Sequence, residues 1–229
     1  MAFNTAKNII VGAAPLYIST YDSTDKTNYK YNLLDRPTGG ISFTPADSAR
    51  KTLGASSEVR NVGYTNNGLQ ITYNPTYDAV TVDQLLDAAK LFKSAMEVMI
   101  ATEMSEGTLS NVLVVFGQKT STLSTTGTSP VETSTLGLEA GALGQEPTER
   151  QLFAVGNAPT LSSTAADVYS ERIYYGRRVL SVQQSQFTLA RNTPTTFPVT
   201  FRLLPDADYA GSEYGKIIDR TKATDWLYS

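Results

Sequence analysis

The side chains most suited to binding a metal ion are two closely spaced pairs of carboxylates. Asp206 and Asp208 flank an alanine, and Asp83 and Asp87 lie four residues apart, which would place them on one face of a helix. Carboxylate oxygens are ligands of hard cations, but such sites normally bring more oxygen ligands and a turn glycine. Pairs at these spacings are also common on solvated surfaces. We therefore assign no metal site and expect no cofactor.

The sequence contains neither histidine nor cysteine. This removes thiol catalysis, disulfides and thiolate ligands, together with the side chain most used for acid–base work near neutral pH. A glycosidase needs only two carboxylates, but nothing selects a pair from the 22 acidic residues. No nucleophile elbow, phosphate-binding loop or HExxH motif occurs. We expect no catalytic residues and a protein that is not an enzyme.

A cluster of basic and aromatic side chains, Tyr174, Tyr175, Arg177 and Arg178, is a candidate for nucleic-acid contact. The chain carries 19 basic and 22 acidic residues, a net charge of −3. Binding to phosphates requires clustered lysine and arginine. We therefore favour a β-strand whose cations pair with neighbouring carboxylates such as Glu171.

The elements that would position these residues are clearest in the first half of the chain. Residues 59–64 and 69–73 have strand-like patterns, and Asn67-Gly68 between them is typical of a two-residue hairpin turn. Pro75 cannot donate a backbone hydrogen bond and restricts the residue before it. The pattern therefore predicts a hairpin whose second strand ends there.

The hydrophobic period changes after a third predicted strand at residues 77–82. Apolar side chains then recur at helical spacing, and Thr81 with Gln84 has the spacing of a capping box. The pattern predicts an amphipathic helix over residues 82–92. Its apolar stripe consists of Val82, Leu85, Leu86, Ala89 and Phe92.

A strand and a second helix are predicted next. Residues 94–104 favour a strand, with a helix as the rival because of their Ala, Met and Glu content. Thr108 is a suitable N-cap for a helix over residues 109–116, and Gly117 is a suitable residue to end it. The first half thus predicts a sheet with one or two short helices lying on it.

Later strands are predicted at residues 152–155, 168–190 and 196–204, with Gly176 at a bulge or bend. Residues 118–130 are rich in Ser and Thr and resemble a loop. Residues 8–18 predict a first core strand. A signal peptide there is disfavoured, because glycine and proline interrupt the apolar run and a clean cleavage site is lacking. No run approaches the ~18 apolar residues of a membrane helix.

Residues 19–57 lose apolar periodicity but retain isolated apolar side chains, as does the C-terminal tail. Exposed apolar groups on such segments usually contact another molecule. The alternative is an excursion that folds back on its own domain. The predicted subunit-interface residues are Tyr29, Tyr31, Leu33, Leu34, Ile41, Phe43, Trp226 and Leu227.

Three stretches resemble the major tail tube proteins of long-tailed, siphovirus-type bacteriophages. They are VGYTNNGLQITYNP, VDQLLDAAKLFKSAMEVMIATEMSEGTLSNVLVVFG and VTFRLLPDADY, and they occur in the order typical of that family. The resemblance covers about residues 59–117 and 196–219, with weaker similarity at 8–17 and 136–156. None of these motifs is a catalytic signature.

The resemblance implies a mainly β fold, a β-sandwich or half-barrel with one or two short flanking α-helices and long loop arms. It implies rings, generally of six subunits, in which oligomerisation closes a barrel around a lumen. Residues 1–229 would form a single tail-tube domain. Its extensions would be an inter-subunit loop at about 19–57, a Ser/Thr-rich loop at about 118–134 and a C-terminal arm at about 206–229.

The implied function is that of a structural subunit of the tail tube, the conduit for genome delivery. The main partner would be the protein itself, with the tape measure, tail terminator and distal tail proteins at the ends of the tube. Viral DNA would pass through the lumen without specific binding. The location would be the virion tail after synthesis in the host cytoplasm, with no membrane insertion of this chain.

Two alternatives remain open. One is another tail or neck component on a related fold. The other is a carbohydrate-binding or adhesin β-sandwich, for which the 13 tyrosines and the Ser/Thr-rich loops are the support.

Overall fold

The computed structural model describes residues 14–19, 59–128, 130–145, 147–159, 169–183, 185–189, 191–207 and 210–222. The fold of these residues is mainly β and sandwich-like, with antiparallel sheets and a short helix, as predicted. The strands, in chain order, are β1 Leu16–Ser19, β2 Val59–Asn61, β3 Thr65–Val80, β4 Lys90–Met104, β5 Leu123–Thr128, β6 Val131–Leu136, β7 Arg150–Asn157, β8 Tyr169–Ser181, β9 Phe197–Leu203 and β10 Gly215–Lys222.

Eight of these strands form one antiparallel sheet with the order β2-β1-β7-β8-β9-β4-β3. The eighth, β10, pairs with the first half of β8, from Tyr169 to Gly176. The second half of β8 pairs with β9, at residues 179–181. The predicted strands at 94–104, 152–155 and 196–204 are confirmed within β4, β7 and β9. The predicted irregularity at Gly176 is confirmed by a register shift in its pairing with β7.

The hydrophobic core lies between this sheet and a helix, α1, at Leu109–Val115. β9 shows how the sheet contributes, since Phe197, Val199, Phe201 and Leu203 are buried while the residues between them are more exposed. Leu113 is fully buried on the helix side. The period-two pattern of the strand thus determines which face meets the helix.

The predicted ends of α1 are confirmed by their hydrogen bonds. The Thr108 hydroxyl accepts from the backbone N–H of Asn111 at 3.2 Å, which satisfies a free donor at the start of the helix. At the other end Gly117 has φ +64°, and Gln118 N–H donates to Leu113 O at 3.0 Å. This left-handed ending is a Schellman motif, in which glycine is favoured because it has no Cβ.

The predicted hairpin at Asn67-Gly68 is wrong, although both residues have the positive φ that the prediction required, +60° and +69°. β2 pairs with β1, and β3 pairs with β4. The register of β3 and β4 shifts between Asn66 and Gln70, so the two residues form a bulge rather than a turn.

The predicted break at Pro75 and the predicted helix over residues 82–92 are also wrong. β3 continues through Pro75 to Val80, because it is the last strand of the sheet and edge strands tolerate a residue without an N–H donor. Lys90, Leu91 and Phe92 belong to β4 and pair with the end of β3. Only residues 81–89 are left to connect the two strands, in a series of turns.

Two predicted extensions have regular structure in the described residues. Part of the Ser/Thr-rich loop at 118–134 forms the antiparallel hairpin of β5 and β6. Part of the C-terminal arm at 206–229 forms β10, and every residue of β10 pairs with a residue of β8. Residues 20–58, which include most of the predicted inter-subunit loop, and residues 223–229 lie outside the described residues.

Candidate assembly surface

The longest hairpin among the described residues, formed by β3 and β4, has one apolar and one polar face. Successive side chains of a strand point to opposite faces. On β3 the apolar face carries Leu69, Ile71, Tyr73, Pro75, Tyr77 and Ala79. The polar face carries Gln70, Thr72, Asn74, Thr76 and Asp78.

β4 extends the apolar face of β3. Directly opposite residues of an antiparallel pair lie on the same face, and the register pairs Tyr73 with Val98 and Ile71 with Ile100. Val98 and Ile100 are buried in the core, whereas the side chain of Tyr73 is 66% exposed. The apolar face therefore begins inside the core and runs out of it.

The hairpin extends beyond the rest of the sheet, because β9 pairs with β4 only from Met99 to Met104. We refer to residues 73–98, beyond that pairing, as the distal hairpin. Its apolar face includes Tyr77, 57% exposed, and Leu91, 63% exposed. Lys93 Nζ lies 5.6 Å from the centroid of the Tyr73 ring, a cation–π contact at an exposed site.

The tip of the distal hairpin, residues 81–89, is also apolar. The side chains that suggested a helix stripe lie here without a core to cover them: Leu85 is 56% exposed and Leu86 is fully exposed. Asp83 and Asp87 give the tip its acidic charge. Asp87 Oδ1 accepts a hydrogen bond from the next N–H, that of Ala88, at 2.7 Å, so this carboxylate orders the turn.

The outer edge of β3 has no strand partner among the described residues. β3 ends the sheet order, and no strand of the described residues pairs with its far side. A long unpaired edge is a template for another chain, and soluble proteins normally shorten, charge or cover it. β3 spans 16 residues, so its edge and its apolar face together form a candidate assembly surface.

A second apolar feature is an open groove of about 380 Å³ between the distal hairpin and β10. Tyr73 and Val98 lie on one wall, and Tyr174 and Ile217 lie on the other. Tyr214 OH donates to Met96 O at 3.4 Å and joins the two walls at one point. The groove exists because β8 pairs with β10 in its first half and with β9 only at its end.

An ion pair fixes β10, and with it the wall of the groove, to β8. Arg172 and Asp219 are directly opposite in the register and form two hydrogen bonds of 2.6 and 2.7 Å. The hydrogen bonds from the Arg172 guanidinium hold the pKa of Asp219 below its usual range, against a smaller opposing effect of desolvation. The same hydrogen bonds raise the pKa of Arg172, so the pair is ionised at neutral pH.

The structure separates the two arginines of the basic and aromatic cluster. Arg178 forms a two-pronged ion pair with Glu149, at 2.7 and 3.0 Å, rather than with the predicted partner Glu171. Arg177 is almost completely buried, with its guanidinium 5.4 Å from the Tyr175 ring. Both cations are therefore engaged within the fold, which supports the structural interpretation over a nucleic-acid patch.

The carboxylate pairs form no metal centre in the described part of the chain, where no group of three or more Asp, Glu, His or Cys side chains could hold an ion. Asp206 is buried, and Asp208 lies outside the described residues. Asp83 and Asp87 lie on the turns of the hairpin tip rather than on a helix.

None of the eight predicted interface residues, from Tyr29 to Leu227, lies within the described residues, so that prediction stays open. The surface that the structure does describe is absent from the predicted residues, because the sequence pattern predicts that this strand ends at Pro75. The signal that could have revealed it is the regular alternation from Leu69 to Ala79, which passes through the proline unchanged.

Among the described residues, no helix has both the length and the apolar character needed to span a bilayer. Comparison with models of protein families and with curated proteins gives no match.

Proposed function

We propose that this protein is a structural, non-enzymatic subunit that assembles with copies of itself into stacked hexameric rings, forming the tail tube of a long-tailed bacteriophage. The observation that carries the proposal is the uncovered apolar face of the distal hairpin, continuous with the core at Val98 and open at Tyr77 and Leu91. An exposed apolar surface of this kind marks an interaction site.

The partner that fits this surface best is another copy of the chain. The main sheet has two ends, the short β2 and the long β3, and each is unpaired on its outer side among the described strands. Pairing one end with the other end of a neighbour is a heterologous contact, which closes into a ring if the rotation allows. Closure would remove the exposed edge of β3.

The polar face of β3 suits the wall of a channel for DNA. Its side chains from Gln70 to Asp78 include no lysine or arginine. Arg202 of β9 is a cation on the same face of the sheet, and it is already paired with Glu97 of β4 at 3.8 Å. Phosphates bind where free cations cluster. A lumen lined by this face would let DNA pass without specific binding.

The tape measure, tail terminator and distal tail proteins are the further partners that this function requires, and the virion tail is the location. The apolar surface and the free edge support self-assembly in general. The identification of the assembly as a tail tube rests on the sequence resemblance.

The test is the assembly state of the purified protein over a range of concentrations. Light scattering coupled to size-exclusion chromatography gives the mass, and negative-stain electron microscopy gives the form. We expect six-fold rings and hollow tubes that increase with concentration. A monomer that persists at high concentration would overturn the proposal, and its retention on a polysaccharide column would favour the carbohydrate-binding alternative.

A further inference from the structure

The groove between the distal hairpin and β10 is an apolar site with a single charged lining residue. Its lining includes Tyr73, Val98, Tyr174, Tyr214, Lys216 and Ile217. Ile217 is 67% exposed at the rim, so the groove is open to another molecule. An occupant of complementary character would be apolar.

The tip of the distal hairpin has this character. Leu85 and Leu86 are exposed apolar side chains, and Asp83 and Asp87 flank them. A cavity of about 150 Å³ lined by apolar residues accommodates one benzene molecule. The groove, at about 380 Å³, therefore has room for two side chains of leucine size.

The tip cannot occupy the groove of its own chain. Tyr73 lies at the groove and Val80 at the far end of β3, and this stretch of strand is about 23 Å long at ~3.3 Å per residue. The tip follows Val80 and lies at the end of the hairpin away from the groove. A tip that enters such a groove must come from another copy.

We propose that the groove receives the hairpin tip of a neighbouring copy, with Leu85 and Leu86 between the two walls. This inference rests on the proposed self-assembly and specifies its contact. The contact is heterologous, since the tip and the groove are different surfaces, and each copy therefore offers one of each. Repetition of the contact gives a ring or a filament.

Disulfide cross-linking tests the contact directly, because the natural chain has no cysteine. The test variant carries Leu86→Cys and Ile217→Cys. A disulfide needs Cα atoms within about 7 Å, which the extent of the strand excludes within one copy. We expect mild oxidation to give a ladder of linked oligomers on a non-reducing gel, formed at least about tenfold faster than by a control pair, since docked thiols have a high effective concentration.

The control pair is Leu86→Cys with Val131→Cys, because Val131 is exposed on β6, away from the groove. Equal cross-linking of both pairs would overturn the proposed contact. So would wild-type assembly into rings or tubes without the ladder, a result that would leave the proposed function standing. If neither ring nor ladder forms, the proposed function fails with it.

Mixing two single variants gives a second, independent test. Leu86→Asp places a charge on the apolar tip, and Ile217→Asp places a charge in the apolar groove. Each variant therefore lacks one side of the contact, and neither should assemble alone. A mixture has one intact tip and one intact groove per pair, and we expect discrete heterodimers by native mass spectrometry. Assembly of either variant alone would show that the tip does not need to fill the groove. Protection of the Ile217→Cys thiol from a reagent in the monomer would show that another segment of the same chain fills it. Either result would overturn the proposed contact.

Discussion

β7 and β3 are both strands of one sheet, but their surroundings are opposite. β7 is buried from Arg150 to Gly156, with β1 and β8 paired along its two edges. β3 is twice as long, has a partner on one edge among the described strands and contains no buried residue. The two strands differ in how much of their surface the described residues cover.

The alternation of β3 shows that its exposure is not that of a fully solvated strand. A strand with water on both faces has no need of an apolar side, yet β3 places Ile71, Tyr73 and Tyr77 on one face and polar residues on the other. This is the pattern of a strand that is covered on one face. β7 meets its cover within the chain, and we infer that β3 meets it in the assembly.

The largest expected effect on folding is in β7. Phe153 is fully buried and stacks on Tyr175 with ring centroids 4.7 Å apart. Phe153→Ala should lower the free energy of unfolding by about 3–5 kcal/mol. Tyr77→Ala in β3, the matched aromatic substitution, should change it by less than about 0.5 kcal/mol. Urea unfolding of the monomer at low concentration measures both, and equal losses would contradict the comparison.

A large effect on assembly is also expected from substitutions on the apolar face of β3 and β4. Tyr77→Ser combined with Leu91→Ser should weaken assembly at least about a hundredfold, since each buried apolar side chain contributes about 1.5–3 kcal/mol. The control is Thr76→Ala with Asp78→Ala, on the polar face of the same strand. Light scattering against concentration gives the midpoint of assembly for each. A larger loss in the control would assign the interface to the other face.

Substitutions in the bulge at the start of β3 should have an intermediate effect on the free energy of unfolding. Gly68 has φ +69° and no heavy atom within 4 Å of the position a Cβ would take, so Gly68→Ala introduces backbone strain without a clash. The expected loss is about 1–2 kcal/mol in the free energy of unfolding. Asn67→Gly, at the neighbouring position with positive φ, should lose less. An unchanged stability for Gly68→Ala would show that the bulge can rearrange.

The smallest effect is expected at the ion pair that holds β10. Asp219→Asn should lower the free energy of unfolding by less than about 1 kcal/mol at neutral pH, because the side chains of Arg172 and Asp219 remain 25% and 27% exposed. The folded-state pKa of Asp219 is depressed, so the contribution is complete above the ordinary value of about 3.9 and disappears as the pH falls through the lower folded value. Urea unfolding at pH about 7 and about 2.5 should show a larger difference at the higher pH.

The sequence predicts those elements that are determined by residues close to one another in the chain. α1 was predicted with both ends because Thr108 and Gly117 satisfy the backbone groups of the helix within a few residues of themselves. β7 and β9 were predicted because their apolar patterns match the burial that the fold provides.

The distal hairpin was not predicted, because long-range pairing determines it. The apolar stripe from Val82 to Phe92 has helical spacing, but Leu91 and Phe92 pair with Ala79 and Asp78 and extend β4. Strand pairing with β3 therefore overrides the helical pattern of residues 82–92, as is common for short segments. The groove was also beyond sequence analysis, since it depends on where β8 exchanges one partner for another.

Hydrogen–deuterium exchange of β3 and β7, in the monomer and in the assembly, is the most direct test of the central claim. We expect the amides of β7 to be protected in both states, because both edges of that strand are paired within the chain. We expect the outward amides of β3 to exchange rapidly in the monomer and to become protected on assembly. Protection of β3 equal to that of β7 in the monomer, or no gain on assembly, would contradict the account.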